Sequence, residues 1–234
     1  MRRMLVTMAV VAMAMLGTAV PGRAGPHCTI EGDGGRDTLR GTPGDDVICG
    51  RGGRDTLLAG DGDDIVIGGR GNDGVYGGSG SDDLRGNRGS DIVFGGLDPD
   101  VVRGGIGYWD DLRGGGGSDL VFGGPGSEFL AGGRGNDVVR GGRGRDWWIS
   151  GTAQGGSPND PGNDRHYGGP GSDRIEDLTG VDQLFGGRGA DACLAAFDED
   201  GADLLNGGRG DDSWYSESAD TLIDVEHRQE CFVD

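Results

Sequence analysis

One large apolar residue returns every nine positions along most of this chain. The series runs from Leu39 through Ile48, Leu57, Val66, Val75, Leu84, Val93 and Val102. After a single extra residue, at Tyr108 or Trp109, it resumes at Leu112, Val121, Leu130, Val139 and Trp148. It returns at Ile175, Leu184, Cys193, Leu205 and Trp214. The stretches between are polar and rich in glycine. One apolar residue per unit buries too little to fold alone, so the units are expected to stack on one another. The triplet around each apolar residue predicts a short strand with one side chain inward and two outward. The glycine-rich remainder predicts a turn, because glycine supplies the positive φ and the close backbone approach that a tight turn needs.

Two residues before each apolar position stands an acid. The acids are Asp37, Asp46, Asp55, Asp64, Asp73, Asp82, Asp91 and Asp100, then Asp110, Asp119, Glu128, Asp137 and Asp146. Asp164, Asp173, Asp182, Asp191, Asp203 and Asp212 complete the set. The unit is clearest at Gly68–Arg85, where GGRGNDGVY is followed by GGSGSDDLR. Both copies read G-G-x-G-x-D-x-U-x, with U a large aliphatic residue. Numbered from the glycine pair, the acid is position 6 and the apolar residue position 8.

This unit resembles the calcium-binding nonapeptide of the RTX (repeats-in-toxin, haemolysin-type) family. The resemblance implies an all-β fold, a right-handed parallel β-roll in which two units form one coil. Residues eighteen apart then stack at about 4.8 Å, and about ten two-row coils with capped ends are expected. It also implies several Ca2+ ions between the turns of adjacent coils. The ligands would be the position-6 carboxylates together with turn carbonyls such as those of Gly69, Gly71, Gly78 and Gly80. The charge pattern agrees, since stacking puts like charges in columns that repel unless a cation intervenes. Calcium, a hard cation taking six to eight oxygen ligands, suits a turn that offers carboxylates and unhindered carbonyls.

The breaks in the pattern are locatable. Asp98 replaces the position-4 glycine and Pro99 follows it, so an irregular turn is expected there. Glu128 stands for Asp, with altered geometry expected at its site. Residues 150–158 keep the unit length without an acid and read as a degenerate row. Ala195-Ala196-Phe197 is an insertion. The roll is expected over 25–215, with an N-terminal cap at about 25–31. A C-terminal cap is expected over 216–234, as a helix or an irregular plug.

Composition changes the picture in two respects. The chain has 55 glycines, 33% hydrophobic residues and a net charge of −19, a balance typical of disorder. A disordered linker has no reason to hold an acid and an apolar residue in phase with a glycine pair, so disorder is expected only without ligand. The acidic excess also excludes nucleic acid as a partner, because phosphate binding needs clustered positive charge.

The N-terminus reads as a secretory signal peptide over residues 1–24. Met1-Arg2-Arg3 is basic, Leu5–Leu16 is an uncharged apolar run, and Gly22-Arg23-Ala24 is a cleavage signal. The product is expected to be secreted, extracellular and without a membrane span. Four cysteines, Cys28, Cys49, Cys193 and Cys231, fit an oxidising compartment as disulfides. Of the three pairings, the local one would fasten each end. A zinc site competes, but CxxC spacing and clustered histidines are both missing.

Catalysis has little to stand on. His27, His166 and His227 are the only histidines, and neither GxSxG, HExxH nor a phosphate-binding lysine motif occurs. His166 falls at a core position. The leading reading is a calcium-folded, non-enzymatic repeat protein. The alternative is an adhesin that recognises glycans or proteins through outward aromatics among Phe94, Tyr108, Trp109, Phe122, Trp147 and Tyr215.

Overall fold

The computed structural model describes residues 27–150, 162–177, 180–196, 202–215, 220–225 and 227–228. Successive strands alternate between two parallel eleven-stranded sheets, stacked as the coils of a β-solenoid. The first sheet begins with Ile30–Glu31 and Val47–Gly52 and ends with Thr221–Ile223. The second begins with Thr38–Arg40 and Thr56–Asp61 and ends with His227–Arg228. Among the described residues there is no helix, and hence none long and apolar enough to cross a membrane.

Register follows the repeat. Val66 pairs with Leu84 and Leu57 with Val75, eighteen residues apart. The extra residue near Trp109 is absorbed once in each sheet, where Val93 pairs with Leu112 and Val102 with Val121. Most strands run six residues rather than three, taking in positions 7, 8 and 9 and the following G-G-x. Two positions therefore face inward, the apolar residue at position 8 and the glycine at position 1. The core is a file of fully buried aliphatics, Ile48, Leu57, Val66, Val75, Leu84 and their successors through Leu205. Each contributes about 1.5–3 kcal/mol by leaving water. Ile30, Leu39, Trp214 and Leu222 cover its ends.

Three expectations are corrected. Val138 pairs with Arg165 and Val139 with His166, twenty-seven rather than eighteen residues on, and all of the degenerate row but Ser150 lies outside the described residues. Trp148 does not hold the core register, because Ile149 pairs with Leu130 and Ile175. Cys193 likewise yields to Leu194, which pairs with Ile175 across a bulge. In both places two neighbouring residues compete for one register position, and only one of them pairs along the ladder. The turn at Asp98 is not disrupted, since Asp98 adopts φ +71° and Val101–Ile106 pairs on both sides. Aspartate is among the few side chains that tolerate this left-handed conformation.

At the tail, Thr221–Ile223 and His227–Arg228 add a strand to each sheet beyond residue 215. At the other end Cys28 is bonded to Cys49, with 5.9 Å between Cα atoms. The signal segment and Cys231 lie outside the described residues, as does the Cys193 side chain. Replacing Cys28 and Cys49 by serine is expected to cost about 3 kcal/mol, the closure entropy of a loop of this size. Amide exchange should then accelerate first in Ile30–Glu31 and Val47–Gly52, where the bridge holds the chain end.

Candidate metal centres

Each turn joins two strands through positions 4 to 6, and glycine sets its path. Gly71 has φ +127°, and a Cβ there would strike the carbonyl oxygen of Gly53, one coil earlier. The turns therefore stack with almost no space between backbones, and the position-6 acids fall into two ladders.

One ladder follows the first sheet through Asp46, Asp64, Asp82, Asp100, Asp119, Asp137, Asp164, Asp182 and Asp203. The other follows the second through Asp37, Asp55, Asp73, Asp91, Asp110, Glu128, Asp146, Asp173, Asp191 and Asp212. Nearly all of them are buried. Their first role is one the sequence did not reveal. The backbone N–H of most of the acids donates to Oδ1 of the acid one coil on: Asp64 to Asp82 at 2.8 Å, Asp82 to Asp100 at 2.8 Å, Asp73 to Asp91 at 2.8 Å. The staple spans the two 27-residue steps too, from Asp137 to Asp164 at 2.7 Å and from Asp146 to Asp173 at 2.9 Å.

The second oxygen behaves differently. Oδ2 of Asp55, Asp64, Asp73, Asp82, Asp91, Asp100, Asp110, Asp119, Asp173 and Asp191 is buried and accepts no hydrogen bond. It lies over the position-1 glycine of its own unit, beside a carbonyl of the next coil. A Cβ on Gly68 would sit 2.9 Å from both Asp73 Oδ2 and the Gly86 carbonyl oxygen. Arginines do not supply the missing charge at these acids. Arg85 and Arg103 pair with Asp83, Arg113 with Asp111 and Arg51 with Glu31, all on the outer surface. A carboxylate oxygen and a carbonyl oxygen thus converge without a donor, a set that fits a hard cation.

Electrostatics point the same way. Burial, opposed by the backbone hydrogen bond, raises Asp82 and Asp191 to about 6 and Asp91 and Asp173 to about 7. Burial likewise raises Asp119 to about 7 and Asp100 to about 8. The neighbouring acids of the ladder add to the rise at most of these positions. Bare, the stack resists its own ionisation.

The sites are not equal. Asp46 Oδ2 is taken by the Thr42 N–H at 2.6 Å and its hydroxyl at 2.9 Å, which hold Asp46 below the usual carboxylate range. Asp37 Oδ2 accepts the Asp33 N–H at 2.8 Å. These first acids close the ladders with protein donors. Glu128 keeps its own N–H bond to Asp146 at 3.1 Å, but neither of its carboxylate oxygens takes up an N–H. Burial, followed by the adjacent Asp146 carboxyl, raises Glu128 to about 9.

Three features escaped the sequence reading. Asp220 accepts the Asp203 N–H at 3.1 Å and extends the first ladder by one acid. Its signal was the truncated echo Ser218-Ala219-Asp220-Thr221-Leu222. A second staple runs through position 5, where Asp45, Asp63, Asn72, Asn136 and Asn163 accept an N–H from the following coil. The third is a histidine–aspartate pair inside the roll, His166 with Asp177.

The sequence pattern of the RTX calcium-binding nonapeptide repeat (four copies) matches residues 29–57, 50–75, 76–108, 105–139, 122–151, 159–193 and 197–213. No curated protein matches the chain. With those matches covering most of its length, and with turns that stack buried aspartates beside glycine carbonyls, the chain belongs to the RTX calcium-binding repeat family.

Proposed function

We propose that this is an exported protein that folds as its position-6 acids take up calcium between coils. The observation that carries this reading is the row of buried Oδ2 atoms, each without a donor and each facing a carbonyl of the next coil. Bound calcium would supply the positive charge that the ladders lack. The chain supplies the rest: stacking two turns brings their oxygens together, and the Oδ1 staples fix the carboxylate planes. A site exists only once a neighbouring coil has docked, so ligand assembly and folding are coupled. Acids whose second oxygen has no donor, such as Asp55, Asp64, Asp73, Asp82, Asp91 and Asp100, are assigned the strongest sites, and Asp37 and Asp46 the weakest. Export rests on the basic start and apolar run of residues 1–24. No catalytic role is assigned.

The test is a calcium titration of residues 25–234 followed by far-ultraviolet circular dichroism. A coil spectrum should give way to a β spectrum, reversed by chelator. The midpoint should fall near the 10⁻⁴–10⁻³ M affinities of extracellular calcium modules. A spectrum indifferent to calcium overturns the reading.

One observation favours recognition of a glycan as a second activity. Trp109 is 46% exposed and borders a groove of about 640 Å³ lined also by Tyr76, Ile92, Thr56, Arg36 and Arg54. Several other aromatics are occupied along the ladders: Tyr167 stacks on Phe185 at 4.9 Å, and Arg113 covers Phe94. Glycan binding lost in Trp109→Ala, with the calcium-dependent fold kept, would support this activity.

A further inference from the structure

The repeat is broken twice within one stretch, and the two breaks meet inside the roll. His166 stands at position 8, where its neighbours along the sheet are Val139 and Leu184. Asp177 stands at position 1, where most units have glycine. Both side chains are buried, at 0% and 1% exposure. His166 Nε2 lies 2.5 Å from Asp177 Oδ2, while His166 Nδ1, equally buried, has no hydrogen-bond partner. Asp164, whose Oδ1 accepts the Asp137 N–H, brings a third donor to the same place. One donor atom from each of the three residues lies within 4.8 Å of the others.

His166 is buried at a position that elsewhere holds an aliphatic side chain, with its Nε2 against a carboxylate and its Nδ1 without a hydrogen bond. A buried polar atom without a partner costs roughly 1–3 kcal/mol, so the histidine does not serve the core. An all-oxygen site suits calcium, whereas one nitrogen with two carboxylates suits zinc and its neighbours in the first transition row. Zn–N and Zn–O bonds of about 2.0–2.2 Å place ligand atoms about 3.3 Å apart in a tetrahedron. One donor atom from each of the three residues already lies within 4.8 Å of the others, so side-chain adjustment alone would bring them to a common ion.

We propose that Asp164, His166 and Asp177 form one zinc-type site in the interior of the roll, which shares Asp164 with the first ladder but differs from the calcium sites in its nitrogen donor. Calcium would order the coils and this ion would lock one of them. The substitution of two repeat positions together is what such a site requires, because either residue alone would be a buried polar group without purpose.

The experiment uses residues 25–234 folded in saturating calcium, with Co2+ as the probe. One equivalent should be retained through dialysis. It should show the visible absorption of a low-symmetry nitrogen–oxygen site, be displaced by Zn2+, and be unaffected by further calcium. His166→Leu and Asp177→Gly each restore a residue usual at that repeat position, so both should keep the calcium-induced spectrum while binding cobalt at least tenfold more weakly. Retention of cobalt by both variants overturns the proposal, because the ion then sits elsewhere. Wild-type protein that folds with calcium yet retains no cobalt overturns it outright, and leaves the calcium reading standing. That last measurement needs no variant, so a misfolded substitution does not prevent a decision.

Discussion

With calcium chelated, acidification is expected to fold the chain and a return to neutral pH to unfold it. The sign follows from the carboxyls. Folded-state values of about 6 for Asp82, about 7 for Asp91 and Asp119, and about 8 for Asp100 all exceed the ordinary 3.8. Groups raised in this way stabilise the folded state fully below the unfolded value, and the contribution is lost as pH rises through the folded values. The contribution is therefore complete below about pH 4 and is lost group by group as pH rises to between about 6 and 9, the upper end set by Glu128 and Asp182. Asp46, whose value is lowered, works in the opposite sense and is one group against many.

Calcium should reverse this dependence, because the ligating form is the carboxylate and each occupied site must shed its proton. Affinity should rise with pH, and addition of calcium near pH 6 should release protons into a weakly buffered solution. Circular dichroism across pH 4–9, with chelator and with calcium, makes the comparison. A chelated chain that is folded at pH 8 and melts toward pH 5 would contradict the ladder electrostatics.

Gly71→Ala should be among the most damaging single-methyl additions in the molecule, and Gly116→Ala should be silent. At Gly71 the backbone has φ +127°, and the new Cβ would meet the Gly53 carbonyl, a main-chain atom that can yield only if the coils part. At Gly116 a Cβ meets nothing within 4 Å and φ is unexceptional. The left-handed conformation alone costs an L-residue roughly 1–2 kcal/mol. With the contact added, a loss of roughly 3 kcal/mol or more is expected for Gly71→Ala, against at most about 0.5 kcal/mol for Gly116→Ala. Urea unfolding at fixed calcium measures both. Hydrogen exchange should place the damage between the paired strands Val47–Gly52 and Ile65–Arg70, which lead into the two clashing turns. Equal losses at the two glycines would mean that turn stacking is looser than the structure requires.

The parts that were legible in the sequence depend on side chains that repeat. Leu84 and Asp82 have fixed partners eighteen residues away on either side, so phase alone assigned the core file and the acid ladders. Strand length was hidden, because positions 1 to 3 are mostly glycine and carry no alternation to read, although they pair as firmly as the triplet. The exchanges of Trp148 for Ile149 and of Cys193 for Leu194 were hidden for another reason. When two adjacent residues are both apolar, hydrophobicity cannot say which one the ladder pairs in register. At the candidate sites, the residue type announced a cation while the division of labour between Oδ1 and Oδ2 depended on coil spacing. His166 and Asp177 each looked like an isolated lapse, since nothing in a linear pattern shows that positions eleven residues apart meet across the interior.

The 27-residue step from Asp137 to Asp164 has a consequence of parity. In a solenoid of two rows per turn, odd-numbered and even-numbered units belong to opposite faces. Skipping a single unit hands every later row to the other side. Asp164 therefore continues from Asp137 rather than Asp146, and Tyr167 extends the file of Phe122 and Arg140, with Arg140 lying 5.2 Å over its ring. A chain of this kind can gain or lose units in pairs and keep its two surfaces intact. A single gain or loss instead grafts the front of one half onto the back of the other.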